Sequence, residues 1–145
     1  MEKVYEIVSI KQVVRESDFE VVQIKSPEDA ASAIQKEIGD EDREVFFVLC
    51  LNTKNRVVAI HRASVGSINA AIVHPREVFK SAILNNAASI IIAHNHPSYD
   101  PSPSNEDLEV TKRLVKAGEI LGIEVLDHII VGENKYISLK SKGYM

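Results

Sequence analysis

Residues 88–97 of the chain read ASIIIAHNHP, a short apolar run that ends in two histidines and a proline. An apolar run of this length, closed by a proline, is typical of a buried strand. Side chains two positions apart on a strand point to the same face, so His94 and His96 are expected to project together from the end of this strand. The stretch therefore predicts a sheet that opens into a polar site.

Ser104 and Asp107 follow the histidines in the pattern His-x-His-Pro-x6-Ser-x2-Asp. Asp107 falls near the start of the next predicted helix, from which its carboxylate can return toward the imidazoles. Two imidazoles and a carboxylate with an open fourth position are the ligand set of a catalytic rather than a structural zinc. A proline-rich loop over residues 97–103 would hold such ligands in place without help from the metal.

The same residues also have structural explanations. Ser104 with an acid three residues later is a capping box, which begins a helix. His94 and His96 could be satisfied core or loop histidines. The two interpretations of Ser104 and Asp107 are compatible, because a capping hydroxyl can still face the site.

Composition limits the classes of function. The 145-residue chain is long enough for one domain with a real core, and its net charge is −4. Its basic residues are scattered, which disfavours direct nucleic-acid binding. Cys50 is the single cysteine and lies in an apolar run, which predicts a core residue and a reducing compartment. No apolar run reaches the length of a membrane-spanning helix, so we expect a cytoplasmic protein without membrane contact.

Strand and helix signals alternate without a strict strand–helix–strand rhythm. A hairpin and several isolated helices predict a mixed sheet flanked by helices, an α/β (α+β) fold. Along the last helix, an apolar stripe is predicted from Val110, Leu114, Ala117 and Leu121. The predicted strands are 4–10, 19–24, 44–52, 56–61, 88–96, 124–131 and 136–139, and the predicted helices are 27–38, 75–85 and 105–121.

The histidine-to-aspartate pattern resembles the motif of the JAB1/MPN metalloprotease superfamily, the JAMM proteins. The bacterial RadC-type MPN domain is similar in sequence to residues 73–79, 94–98, 100–104 and 126–132. The resemblance covers residues 25–145, and residues 1–24 are interpreted as an N-terminal strand extension of the same domain. It implies a curved mixed sheet between helices, akin to the cytidine-deaminase-like architecture.

The resemblance also implies a zinc-dependent hydrolase. His94, His96 and Asp107 would hold Zn²⁺, which activates water and polarises a carbonyl. Ser104 would donate a hydrogen bond to the oxyanion. In JAMM enzymes the general base is a glutamate on an early strand, and Glu44 is the best positional match.

Other residues stay open as alternatives. Glu77, in the first turn of a helix, is the rival for the general base, although the helix dipole also favours an acid there. His128, beside Asp127, is a candidate to orient a metal-binding residue through a hydrogen bond, and His74 is a weaker candidate. Tyr99 stands where a glycine is expected in the site loop, which puts substrate specificity in doubt.

Three classes of function compete. The first is a zinc hydrolase that cleaves an amide or isopeptide bond in a peptide or protein conjugate. The second is a catalytically silent MPN module that binds a protein partner, and the third is a DNA-associated factor, suggested by the DNA-repair name of the RadC family. A zinc deaminase is excluded because its paired cysteines are absent. Exposed strand edges would allow a dimer.

Longer RadC-type proteins often carry a helix-hairpin-helix segment before this domain, and the chain has no room for one. It therefore resembles a stand-alone short form or the C-terminal domain of a longer protein.

Overall fold

The computed structural model describes residues 1–69 and 72–145. It contains three helices, α1 (Pro27–Ile38), α2 (Pro75–Leu84) and α3 (Asn105–Leu121). Its strands are β1 (Val45–Leu51), β2 (Val57–Val65), β3 (Ser89–Asn95), β4 (Glu124–Gly132) and β5 (Lys135–Ser138). The predicted mixed sheet flanked by helices is confirmed.

The helix ends follow local chemistry. The side chains of Ser26 and Ser104 cap α1 and α3, each by accepting a hydrogen bond from the backbone N–H three residues later. Gly122 ends α3 in the left-handed conformation, with φ of 73°. Each of these caps involves residues only a few positions apart in the chain, which is why the helices could be placed from the sequence.

The sheet has the strand order β2-β1-β3-β4-β5. Strand β1 is antiparallel to both β2 and β3, whereas β3 and β4 are parallel and are joined through α3. The carboxyl ends of β3 and β4 therefore meet the amino end of β1 at one edge of the sheet. The carboxyl ends of parallel strands are the usual place for a ligand site in α/β proteins.

Each face of the sheet buries its own apolar cluster. Helix α1 covers one face, where Ile34 and Ile38 pack with Phe47 and Ile91. Helices α2 and α3 cover the other. Because side chains alternate along β3, His94 points to the α2–α3 face together with Ile90 and Ile92. That second cluster contains Phe46, Val48, Val78, Phe79, Ile90, Ile92, Val110 and Leu114.

The strands predicted at residues 4–10 and 19–24 are wrong. Residues 1–22 carry no assigned strand, and Val4 and Val8 are 100% and 91% exposed. The sheet contact of this segment is a bridge between Gln23 and Arg56. An apolar alternation makes a strand only where a partner strand satisfies its backbone. The domain boundary at residue 25 stays a prediction.

The apolar stripe predicted on α3 is wrong at its end. Leu121 is 47% exposed, and the buried positions include Asp107, Thr111 and Gly118. The helical period carries the buried stripe from Asp107 to Gly118, eleven residues later. A side-chain carbon at Gly118 would lie 2.4 Å from the carbonyl oxygen of Ile123, so glycine lets the chain enter β4 close to the helix.

Two further observations concern membrane-spanning helices and the single cysteine. Within the two described ranges, no helix is long and apolar enough to cross a membrane. Cys50 is fully buried in β1, as predicted, and burial raises the pKa of its thiol.

Candidate metal centre

Three polar side chains converge at the carboxyl end of β3. The Nε2 atoms of His94 and His96 lie 3.0 Å apart. The Asp107 carboxylate places Oδ1 3.1 Å from Nε2 of His94 and Oδ2 3.1 Å from Nε2 of His96. Ligand atoms around a tetrahedral zinc, at bonds of about 2.0 Å, would be roughly 3.3 Å apart. The separations fit one small cation.

The hydrogen-bond partners of His96 show which of its atoms is free to bind such a cation. Its Nδ1 lies 2.7 Å from the carbonyl oxygen of Asp100, which can only accept a hydrogen bond. The Nδ1 atom therefore carries a proton in either charge state. Nε2 faces the other two side chains, with a lone pair when His96 is neutral and with an N–H that donates to Asp107 when it is charged. A lone pair that faces an imidazole and a carboxylate needs a proton or a metal ion between them. The donor set thus suits a metal.

Electrostatics couple these side chains in the metal-free protein. Burial favours the neutral form of His96, but its hydrogen bonds with Asp107 and Asp100 and the nearby carboxylate charges together outweigh burial and raise the pKa of His96. Burial likewise opposes ionisation of Asp107, yet hydrogen bonds with His94 and His96 hold the pKa of Asp107 far below its usual range. The carboxylate is ionised throughout the physiological pH range, as a metal ligand must be.

Glu44 belongs to the same cluster. Its carboxylate and the ring nitrogens of His94 and His96 offer ligand atoms that all lie within 4.8 Å of one another. The side chain is partly buried, and its Oε2 accepts a hydrogen bond of 2.8 Å from the backbone N–H of Ile68. An acid is therefore held beside the two imidazoles by a fixed hydrogen bond.

The rival acid is engaged elsewhere. Glu77 lies in the first turn of α2, where both its carboxylate oxygens contact Nζ of Lys80, at 3.2 and 3.0 Å. That contact lowers the pKa of Glu77. His74 is the residue before α2 and makes no side-chain capping hydrogen bond. Neither belongs to the described group of Glu44, His94 and His96, whose ligand atoms lie within 4.8 Å of one another. Asp107 is also outside that group and contacts it through the two imidazoles.

Ser104 takes its structural role as a cap. Its exposed side chain accepts a hydrogen bond of 3.1 Å from the backbone N–H of Asp107, and its own N–H donates to Oδ2 of Asp107 at 2.9 Å. This capping box orients the carboxylate toward the histidines. A role for the hydroxyl at an oxyanion stays a prediction.

His128 lies directly behind His94. It is fully buried, and its Nε2 is 2.8 Å from Nδ1 of His94. The ring of Phe46 stacks on His94 at 6.2 Å and meets His128 edge-on at 5.8 Å. Burial, followed by the charge of His94, holds the pKa of His128 well below its usual value. His128 is therefore a neutral imidazole in contact with a candidate ligand.

Sequence reasoning missed Asn95, which stands between the two histidines. Its buried side chain points to the other face, accepts a hydrogen bond from the N–H of Val45 at 2.7 Å, and donates to the carbonyl groups of Glu41 and Arg43 at 3.3 and 3.1 Å. The amide thus ties the chain around Glu44 to the end of β3. Nothing in the local sequence signals a partner fifty residues away.

Thr111 was also missed. It is buried on α3 one turn after Asp107, and its hydroxyl contacts both the Asp107 carbonyl and His128. The spacing of four from a predicted ligand on a helix was the available signal.

Tyr99 explains why a glycine was expected in the loop. Its φ of 69° is a left-handed conformation that disfavours a side chain. The Tyr99 N–H donates to the carbonyl of His96 at 2.8 Å. A side-chain carbon at Gly132 would lie 2.1 Å from the Tyr99 carbonyl oxygen, so the loop passes directly over the end of β4. The Tyr99 side chain is 47% exposed beside the histidines.

Comparison with known proteins gives one consistent result. The family model of the RadC-like JAB domain matches residues 24–144. UPF0758 proteins of Desulforamulus reducens and Caldanaerobacter subterraneus subsp. tengcongensis are each 58% identical to the chain, over 120 and 121 residues. Each match covers 83% of this chain and 53% or 52% of the relative. The chain spans about half the length of the curated relatives it matches.

Proposed function

The chain belongs to the RadC-like JAB domain family, and on that premise we propose that it is a zinc-dependent metallohydrolase that cleaves an amide or isopeptide bond. The observation that carries the proposal is the convergence of His94, His96 and Asp107. The two Nε2 atoms lie 3.0 Å apart, each lies 3.1 Å from a different oxygen of Asp107, and the Nδ1 proton of His96 is already bound to a carbonyl. Packing alone gives no reason to bring these acceptors together.

Zinc, when bound by these three residues, supplies a Lewis acid that makes water more acidic and polarises a carbonyl. The rest of the chemistry falls to the protein. The Glu44 carboxylate lies beside the histidines and can accept a proton from the attacking water and return it to the leaving amine. Ser104, at the start of α3, is the proposed donor to the oxyanion of the tetrahedral intermediate.

The proposed substrate is a peptide or a protein conjugate. The site lies at the carboxyl end of the central strand β3, and Glu44 and His96 are only partly buried, so a substrate polypeptide can reach it. A net charge of −4 argues against a polyanionic substrate. The single, buried cysteine fits work in the reducing cytoplasm.

The test begins with the metal content of the purified protein, measured by elemental analysis after zinc is supplied and excess removed. We expect about one zinc per chain in the wild type and in His74→Ala, and none in His96→Ala or Asp107→Ala. His74→Ala is the matched control, because it removes an imidazole that lies outside the cluster. Loss of zinc from all three variants alike would indicate general damage rather than a ligand set.

Activity is then measured on peptide and isopeptide-linked libraries. Cleavage by the zinc-loaded wild type that is abolished in the two ligand variants supports the hydrolase. A wild type that takes up no zinc would overturn it. Full zinc occupancy without cleavage in any library would favour the catalytically silent, partner-binding MPN module.

A further inference from the structure

A chain of three contacts links two of the candidate ligands from behind. It begins at the backbone carbonyl of Asp107, which lies 2.7 Å from Oγ1 of Thr111. The same Oγ1 lies 2.5 Å from Nδ1 of His128, and Nε2 of His128 lies 2.8 Å from Nδ1 of His94. All four residues are at most 2% exposed. The described groups must therefore satisfy one another.

The direction of each hydrogen bond follows from the first. A carbonyl can only accept, so the single proton of the Thr111 hydroxyl goes to Asp107. The hydroxyl must then accept from Nδ1–H of His128. A neutral imidazole has one N–H, so Nε2 of His128 is bare and accepts from Nδ1–H of His94. The chain of bonds therefore fixes a proton on Nδ1 of His94, so that the neutral ring has its lone pair on Nε2, the atom that faces His96 and Asp107.

We propose that Thr111 and His128 are positioning residues that lock His94 in its metal-binding tautomer and tie it to the backbone of Asp107. The inference rests on the proposed function in taking His94 and Asp107 as zinc ligands. The tautomer itself is a property of the metal-free protein. One hydroxyl on α3 thus connects a ligand from β3 with a ligand from the first turn of the helix.

A packing role does not account for the threonine. A buried hydroxyl costs free energy unless it is bonded, and valine would fill the same volume without that cost. Here the hydroxyl has two partners, and both lead to candidate ligands. Phe46 packs against the rings of His94 and His128 and limits their rotation. The chain of bonds then decides which nitrogen of His94 carries the proton.

The first measurement is the tautomer of each histidine in the zinc-free protein, by nitrogen-15 NMR of the imidazole rings at neutral pH. We expect a proton on Nδ1 of both His94 and His128, and a bare Nε2 in His128. In Thr111→Val the hydroxyl is lost at constant shape, and we expect His94 and His128 to populate both tautomers. Thr111→Ser should restore the wild-type spectrum because it keeps the hydroxyl. An Nδ1 of His94 that carries no proton in the wild type would overturn the proposal.

The second measurement is zinc affinity by competition with a chelator, which reports on the site without any substrate. We expect Thr111→Val to bind zinc about 10- to 100-fold more weakly than wild type, with Thr111→Ser close to wild type. Wild-type affinity in a Thr111→Val protein of unchanged spectrum would overturn the inference. Should Thr111→Val fail to fold, Thr111→Ala against Thr111→Ser gives the same comparison.

The two failures can be told apart. A wild type that takes up no zinc sinks the proposed hydrolase, whereas the tautomer spectrum still decides between a fixed and a mixed His94. A zinc-binding wild type whose tautomers and affinity do not respond to Thr111→Val sinks this inference alone.

Discussion

Phe46 is paired with His94 across the antiparallel strands β1 and β3. Continued by two residues, this register would set Glu44 opposite His96, and the ligand atoms of Glu44 and both imidazoles do lie within 4.8 Å of one another. The acid and the imidazoles are therefore brought together by strand pairing between segments fifty residues apart. On the shared face, Phe46, Val48 and Ile92 are buried in the cluster beneath α2 and α3, so a slip of one residue would move them to the opposite face of the sheet.

Replacing each of the two candidate acids, Glu44 and Glu77, by glutamine should separate their roles. We expect Glu44→Gln to keep about one zinc per chain and to lose roughly 10²- to 10⁴-fold in kcat, because it removes the proton acceptor beside the ligands. Glu77→Gln is the matched control, since that carboxylate pairs with Lys80 on the surface of α2. Zinc content and initial rates on a cleaved substrate provide the measurement. Equal losses in the two variants would contradict the assignment of Glu44.

Asn95 should matter for both stability and rate. Asn95→Ala leaves the N–H of Val45 and the carbonyl groups of Glu41 and Arg43 without their partner. We expect a loss of about 1–3 kcal/mol in the free energy of unfolding, measured by urea denaturation. Because the amide holds the segment that carries Glu44, kcat should fall more than zinc affinity does.

The control for Asn95 is Asn105→Ala, at an exposed position in the first turn of α3, where we expect a change within about 0.5 kcal/mol. An Asn95→Ala protein as stable and active as wild type would show that the segment carrying Glu44 does not need the hydrogen bonds of Asn95.

Tyr99 offers a test of backbone strain. At a φ of 69°, a residue with a side chain costs roughly 1–2 kcal/mol, whereas glycine adopts the conformation freely. We therefore expect Tyr99→Gly to be more stable than Tyr99→Ala by about 1 kcal/mol in urea denaturation. Both variants remove the phenol, so a shared change in substrate preference would report on the side chain. Tyr99→Ala being the more stable would contradict the strain.

The pH dependence of stability should differ between zinc-free and zinc-loaded protein. The lowered pKa of Asp107 contributes stability above its unfolded value of about 3.9, which is lost as pH falls. The raised pKa of His96 contributes stability below about 6.5, which is lost as pH rises through the folded value. Without metal, the pair therefore stabilises the fold most between about pH 4 and pH 6.5.

Zinc requires deprotonated ligands, so its stabilisation should grow as pH rises over the range where the zinc-free protein weakens. Urea denaturation with EDTA or with excess zinc, from about pH 5 to about pH 8, measures both trends. Asp107→Asn should flatten both of them. A zinc effect that shrinks with rising pH would argue against these ligands.

The fold was largely predictable, because its signals are local. Each cap, at Ser26 and at Ser104, involves residues only a few positions apart, and the apolar runs of β1 and β3 are continuous. Such local signals can be identified directly in the sequence. The segment at residues 4–10 shows the limit of such signals. Its apolar residues favour a strand, but a strand also needs a partner, and the sequence does not say whether one is there.

By itself, the sequence determined the three candidate ligands, His94, His96 and Asp107, because two lie two residues apart at the end of a predicted strand and the third lies near the start of the next predicted helix. Only the tertiary structure decided the rest. It brought Glu44 rather than Glu77 to the imidazoles, tied Glu44 through Asn95, and set Thr111 and His128 behind His94. These contacts depend on strand register and on the packing of α3 against β4. Such relationships join residues far apart in the chain, and no local periodicity carries them.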